Sequence, residues 1–154
     1  MYEWSDEHLM LQEAVRRFID DEIRPNVEEL EHGDLPPYDT LRKLFSTFGM
    51  DAMARARFDK QMARERGEIS EEPEKSERRS GMDAGMTLIP IIEICRVCPG
   101  MVTAMGVSMG LTGAAVMSKG TTAQKERWGL DLLTMDKIGS WAITEPDSGS
   151  DAFG

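Results

Sequence analysis

Cysteine and histidine are scarce in this sequence, which holds only Cys95, Cys98, His8 and His32 of these two types. A structural zinc site needs four ligands, and the two histidines lack ligand spacing relative to the C-x-x-C pair. A redox pair would need a strand-to-helix context, whereas "PIIEICRVCPG" is typical of an apolar helix that ends at proline and glycine. We therefore expect no metal site and two buried thiols.

Basic residues are also few. The sequence has 18 Lys and Arg and 28 Asp and Glu, which gives a net charge of -10. Nucleic acids and anionic membranes require clustered basic residues, so this composition argues against nucleic acid as a partner. Residues 1–34 hold eleven acidic residues and three arginines, which accounts for -8 of the total. We interpret this excess as a solvated helix face.

Long hydrophobic runs are nearly absent. The N-terminus alternates charged and apolar residues and lacks the pattern of a signal peptide, so cytoplasmic residence is the expectation. Residues 101–117 form an uncharged run of seventeen, short of the roughly twenty residues of a membrane span. The run includes Gly106, Gly110 and Gly113, which would let another helix approach closely. A helix buried in the middle of a bundle is the favoured reading, and a membrane-associated protein is the alternative.

Helical periodicity dominates what is present. Ser5 is placed to cap a first helix, Pro25 ends or kinks it, and a second helix runs from about Pro37 to Gly49. Apolar helices follow from Gly85, and a last one begins at Thr121 or Thr122. We predict an all-α fold, a bundle of about five helices over residues 1–138.

Residues 55–84 differ in composition from the rest of this helical region. Between Arg55 and Arg79, fifteen of twenty-five residues are charged. Such a segment buries little apolar area against an ordering cost of roughly 1–2 kcal/mol per residue, so we predict a mobile linker. Its first part, "RARFDKQMARER", has the composition of an exposed helix as an alternative.

The chain closes with "GSWAITEPDSGSDAFG", which predicts a short strand followed by a polar loop over residues 139–154. Pro146 directs the chain away from the strand, and Gly149 permits close approach of backbone to a ligand. Serine hydroxyls and successive backbone N–H groups are suited to the polar part of an anionic cofactor. An ordinary surface turn is the competing interpretation from composition alone.

Four ordered motifs resemble the acyl-CoA dehydrogenase family. "TEPDSGSD" is similar to its T-E-P-x-A-G-S-D signature, with Ser148 in place of the usual alanine. "GTTAQKERW" matches the G-T-x-x-Q-K pattern, "IIEICRVCPG" occupies the place of the E-x-h-x-R segment, and "LQEAVRRFIDDEIRP" is similar to the first helix. The resemblance covers about residues 3–50 and 85–154. A glycine-rich P-E-x-x-G-G stretch is missing, and "DAMARARFDKQM" stands in its place.

The resemblance implies a flavoprotein fold and an FAD site on the closing segment. Residues 141–150 would belong to that site, with Thr144 hydrogen-bonding toward the isoalloxazine ring and Gly149 and Ser150 near the pyrophosphate or the acyl-CoA. Ser150 would also contact the substrate. The cofactor-binding set implied by the resemblance is Trp141, Ile143, Thr144, Gly149 and Ser150.

The same resemblance implies that other parts of the enzyme lie outside this sequence. In the family, the carboxylate that removes the proton comes from a C-terminal helical domain beyond a middle β-domain. We therefore expect an N-terminal fragment without a catalytic residue, inactive alone, whose full-length relatives oxidise acyl-CoA and form homo-oligomers. Residues 139–154 would begin the β-domain. The alternative is a non-catalytic helical interaction module derived from the same family.

Overall fold

The structure, a computed structural model, describes residues 3–70 and 84–151. Within these ranges the chain forms six helical rods joined by short turns, and no strand occurs there. The predicted all-α class is confirmed, and the expected five helices are six because the charged segment contributes one. The predicted mobility of residues 71–83 falls outside the described residues.

The first rod is the longest and changes its pitch along its length. It consists of an α-helix, a π-helical turn, a 3₁₀ turn and a second α-helix: Asp6–Phe18, Ile19–Ile23, Arg24–Asn26 and Val27–His32. Ser5 caps its start, as predicted, by accepting from the backbone N–H of His8. The irregular turns surround Pro25, which has no N–H to donate to the preceding turn.

The second and third rods are the helices Tyr38–Thr47 and Met50–Glu65. Between them Gly49 adopts a left-handed φ of 66°, a conformation that glycine accepts without steric cost. The third rod covers the first part of the charged segment, so the exposed-helix alternative for "RARFDKQMARER" is the one that forms. Its apolar anchors are Phe58 and Met62, both buried.

Three further rods follow residue 83. The fourth is Ala84–Cys95; the fifth joins Pro99–Met105, the π-helical Gly106–Gly113 and Ala114–Lys119; the sixth joins Thr122–Gln124, the π-helical Lys125–Gly129 and Leu130–Leu133. Thr121 caps the sixth rod through a reciprocal capping box with Gln124.

One apolar core links the first, second, fourth and fifth rods. It contains Val15, Phe18, Ile19, Ile23, Leu41, Leu44, Phe45, Ile94, Cys98, Met101 and Met135. Most of these positions follow the three- and four-residue spacing of the helices that carry them, which is why each rod places one stripe inside. The third and sixth rods pack on each other beside this core.

The fifth rod is less buried than its sequence predicts. The expectation of a helix in the middle of a bundle is wrong, because only 17% of its most apolar window is buried. Gly106 and Gly110 have open space where a Cβ would lie, and only Gly113 meets another rod, at Leu132 and Leu133. The described rods cover one side of this helix and leave the other uncovered.

By length and composition alone, Pro99–Lys119 is also the one helix of the described residues that would be able to cross a membrane. A core helix of a soluble protein satisfies the same criteria, so this finding is weak evidence for a membrane span.

The two thiols also differ from expectation. Cys98 is buried in the core, as predicted, but Cys95 is exposed at the end of the fourth rod. Burial raises the pKa of the Cys98 thiol to about 11, with the side chain of Glu31 adding to the effect. Cys98 is therefore a neutral core thiol at neutral pH, and only Cys95 faces reagents in solution.

Candidate functional site

The closing segment leaves the bundle through a well-anchored turn. Met135 follows the sixth rod with a left-handed φ of 61° and a fully buried side chain. Its carbonyl accepts a hydrogen bond of 2.8 Å from Nε of Arg42 on the second rod. This contact ties the start of the segment to the core.

A second anchor holds Gly139 against the fifth rod. The N–H of Gly139 donates to Oγ of the fully buried Ser108 at 3.0 Å. A Cβ at residue 139 would lie 2.6 Å from Cγ2 of Thr112, so only glycine fits this approach. The fifth rod thus fixes the root of the candidate site, a role that the sequence pattern did not indicate.

The predicted strand over "GSWAIT" is not formed in the described residues. A strand requires a neighbour for its backbone hydrogen bonds, and that part of the chain offers none. Instead, Glu145 and Ser148 form a single antiparallel bridge, with their backbone N···O distances 2.9 and 3.3 Å. The signature loop is therefore a self-contained turn that closes on itself.

Ser148, the position at which this sequence departs from the family signature, adds a contact to that turn. Its Oγ donates to the carbonyl of Asp151 at 2.7 Å. An alanine has no hydroxyl, so it would form the bridge with Glu145 but not this second bond. The backbones of Glu145 and Asp151, rather than their carboxylates, stabilise the loop.

The five residues expected at the cofactor all lie on this segment and all are exposed: Trp141, Ile143, Thr144, Gly149 and Ser150. Trp141 is 43% exposed and Ile143 44%, so both apolar side chains are accessible to a ligand. The backbone bonds of the turn, as far as the chain is described, use the N–H groups of Glu145 and Ser148 and not those of Thr144, Gly149 and Ser150.

These features fit one face of a flavin. An exposed indole and an isoleucine offer apolar contact to a flat ring, and backbone N–H groups that the bonds of the turn leave over suit carbonyl or phosphate oxygens. The described residues provide no second wall opposite them. The rest of such a pocket would have to come from another part of a larger assembly.

The segment that replaces the expected glycine-rich stretch is helical. "DAMARARFDKQM" lies within Met50–Glu65, where Arg55 reaches Asp136 beside the candidate site with an N–O distance of 3.1 Å. Asp136 also accepts from Oγ1 of Thr134 at 2.8 Å. The departure thus places a charged helix, rather than a glycine loop, next to the root of the closing segment.

A polar cluster around Glu93 was not predicted, although Glu93 is the single acid in an apolar helix. The side chain is only 4% exposed and accepts from Gln12 at 2.7 Å, from Nε and Nη2 of Arg16 at 2.9 Å each, and from Arg96 at 3.3 Å. Hydrogen bonding to Arg16, opposed by burial, leaves the pKa of Glu93 below its usual value. The cluster joins the first and fourth rods.

The sequence signal for this cluster was present but weak. An acid inside a run such as "LIPIIEIC" must be paired if it is buried, and Gln12 and Arg16 follow the four-residue spacing of one helix face. The packing of two distant helices was needed to bring the groups together. A polar residue in an apolar helix therefore indicated a contact, without indicating its partner.

Comparison with known proteins agrees with these observations. Fold and site together define a helical domain followed by an exposed polar loop. The family model described as "Acyl-CoA dehydrogenase, N-terminal domain" matches residues 5–136. The chain belongs to the acyl-CoA dehydrogenase family. No solved structure was found to match the chain.

Individual relatives are similar over almost the whole of this chain. The mitochondrial short-chain specific acyl-CoA dehydrogenase of Mus musculus is 28% identical over 97% of this chain and 32% of its own length. The short-chain specific acyl-CoA dehydrogenase of Clostridium acetobutylicum is 23% identical over 95% and 34%. The mitochondrial isovaleryl-CoA dehydrogenase of Arabidopsis thaliana is 25% identical over 98% and 33%. The chain spans about a third of the length of these relatives.

Proposed function

We propose that this chain supplies the helical, flavin-side domain of an FAD-dependent acyl-CoA dehydrogenase. One observation carries the proposal: the family match to residues 5–136 leads directly into a signature loop whose root is anchored on the bundle. Domain and loop therefore form one unit. The substrate would be an acyl-CoA thioester, as the names of the relatives indicate.

Each residue of the loop has a part in this proposal. Trp141 and Ile143 would contact the apolar part of the flavin, and Thr144 would hydrogen-bond toward its ring. Gly149 would allow the backbone close to the diphosphate, and Ser150 would meet the diphosphate or the acyl-CoA. FAD, when bound, accepts the hydride that leaves the β-carbon of the substrate. The chain's own contribution is to orient the ring and to keep water from one face.

The proton on the α-carbon needs a carboxylate base, and we propose that none of the residues described here serves as one. Glu145 and Asp151 are exposed and stabilise the turn through their backbones. Glu93 is committed to Arg16 and Gln12. The base would come from the remaining part of the enzyme, so this chain alone would bind without turnover.

The test is a titration of the purified chain with FAD, followed by flavin fluorescence and by gel filtration with absorbance at the flavin bands. We expect saturable binding that Trp141→Ala weakens. The matched control is Ile138→Ala, because Ile138 is also an exposed apolar residue, 38% exposed, outside the cofactor set. Protein that stays colourless and shows no saturation would contradict the proposal.

Turnover is tested separately with an acyl-CoA substrate and an artificial electron acceptor. We expect no reduction of the acceptor by the chain with FAD present. Steady turnover by the isolated chain would contradict the absence of a base while leaving FAD binding intact. The two measurements therefore address cofactor and catalysis independently.

A non-catalytic interaction module is the second candidate, and the uncovered side of the fifth rod favours it. With 17% of its window buried, the rod offers an apolar surface to a partner. Gel filtration with light scattering distinguishes the candidates. A colourless chain that forms a stable complex supports the second, and stoichiometric FAD on a chain without a protein partner supports the first.

A further inference from the structure

A groove between the first and fourth rods carries charge opposite to that of the chain. It is a cavity of about 370 Å³, open to solvent, and its lining includes the buried Ile19. Its charged lining consists of three arginines and two carboxylates: Arg16, Arg24, Arg96, Asp20 and Glu93. The groove shares no lining residue with the flavin-facing loop.

The net charge of the groove lining is opposite in sign to the net charge of the chain. Three guanidinium groups against two carboxylates leave a surplus of one positive charge, in a chain whose net charge is -10. The groove is too small for the extended basic surface that nucleic acid requires. A small anion is the ligand that such a confined surplus attracts.

The arginines are held in place before any ligand arrives. Glu93 accepts from Arg16 at 2.9 Å and from Arg96 at 3.3 Å, and Asp20 accepts from Nε of Arg24 at 2.8 Å. Fixing these long side chains in advance lowers the entropy lost on binding. The carboxylates therefore position the guanidinium groups as well as partly neutralising them.

The arginines also keep donors for a ligand. Their side chains are 48%, 60% and 62% exposed for Arg16, Arg24 and Arg96 in turn. Arg96 is the least committed, since its contact with Glu93 is the longest of the set. A guanidinium group has five N–H donors, so each of the three arginines has donors beyond those it gives to Glu93 or Asp20.

We propose that this groove is a binding site for a phosphate group, either free or as part of a small ester. Arg16 and Arg24 on the first rod and Arg96, directly after the fourth rod, line the same groove. A tetrahedral phosphate has oxygens to meet all of them, whereas a planar carboxylate presents one edge. The groove shares no residue with the closing loop, so the failure of this proposal and the failure of the proposed function are distinguishable.

The experiment is calorimetric titration of the chain with inorganic phosphate, with phenyl phosphate and with succinate, all at one ionic strength adjusted with sodium chloride. We expect saturable binding of phosphate and weaker binding of succinate. Tighter binding of phenyl phosphate identifies an ester as the natural source, and equal or weaker binding identifies the free ion. Succinate binding as tight as phosphate would overturn the proposal.

Substitutions of single arginines test whether phosphate binds in this groove. Arg96→Gln should weaken phosphate binding by about tenfold or more, through the loss of a charge-assisted pair. Arg17→Gln is the matched control, because Arg17 is an exposed arginine paired with Glu13 and does not line the groove. Equal loss in both variants, or no saturable binding by the parent chain, would overturn the proposal.

Arg24→Gln provides a second variant at the other end of the groove, in case Arg96→Gln alters the fold. Far-UV circular dichroism checks the helix content of each variant. Changes in the Nε–Hε NMR signals of Arg24 and Arg96 on addition of phosphate give a direct readout. Phosphate-induced changes confined to residues outside the groove would contradict the assignment even if affinity were measurable.

Discussion

Substitution of Glu93 by glutamine tests whether the buried polar cluster stabilises the bundle. The change keeps the volume of the side chain but replaces a charged acceptor by an amide whose NH2 group faces donors. Glu93 is 4% exposed and accepts from Gln12, Arg16 and Arg96 across two rods. Glutamine keeps one acceptor oxygen, so the donors to the other oxygen of Glu93 lose their acceptor and face an NH2 group instead.

The magnitude follows from those contacts. A hydrogen bond to a charged group contributes about 1.5–3 kcal/mol, and breaking a fully buried pair costs about 3–5 kcal/mol. Because Arg16 is half exposed, water can take over part of the lost pairing. We therefore expect Glu93→Gln to lower the free energy of unfolding by about 2–3 kcal/mol.

The assay is urea denaturation at pH 7, followed by far-UV circular dichroism. The matched control is Glu13→Gln on the first rod, where an exposed acid lies 3.8 Å from Arg17. Surface substitutions of this kind change stability by about 0.5 kcal/mol or less. Equal stability of Glu93→Gln and the parent chain, or an equal loss in Glu13→Gln, would refute the reasoning.

The same cluster has a pH dependence with a definite sign. The pKa of Glu93 is lowered in the folded state, so its stabilising contribution is present above the unfolded carboxyl pKa of about 4.3. It is lost as the pH falls through the lower folded pKa. The stability difference between the parent chain and Glu93→Gln should therefore shrink in acid, and a constant difference down to pH 2 would contradict this origin.

Two further predictions concern the thiols and the root of the candidate site. Iodoacetamide at pH 8 should alkylate the exposed Cys95 and leave Cys98 unmodified until urea unfolds the chain, as mass spectrometry will show; equal rates would contradict the burial and raised pKa of Cys98. Gly139→Ala should lower the unfolding free energy by about 1–3 kcal/mol through the clash with Thr112, whereas Gly106→Ala, which has open space, should be neutral or stabilising. A similar loss in both glycine variants would show that the approach at Gly139 is not the cause.

Much of the fold was predictable from local signals. Ser5, Gly49 and Thr121 mark helix boundaries because their side chains or backbone freedom satisfy the ends of helices, whatever surrounds them. The spacing of Leu41, Leu44 and Phe45 likewise fixes which side of the second rod is buried. These features depend on neighbours within about one helical turn.

Predictions that depended on contacts between residues far apart in the sequence were less accurate. Trp128 lies four residues before the buried Leu132, a helical spacing that predicts burial, yet it is 36% exposed, with the guanidinium of Arg127 4.9 Å from the centre of its ring. The apolar composition of the fifth rod indicated burial on all sides, but the neighbouring rods cover only one. An apolar helix face is stabilised when another surface covers it, but its sequence does not show whether that surface belongs to the same chain.

For the candidate site, the sequence by itself determined the family and the loop, because the signature is a contiguous run of residues from Thr144 to Asp151. Only the tertiary structure decided how that loop is attached, since Ser108 and Gly139 are thirty-one residues apart and meet through packing. It alone also joined Glu93 to Arg16 across seventy-seven residues. Local sequence encodes turns and helix faces, while long-range pairs depend on the way in which complete rods pack.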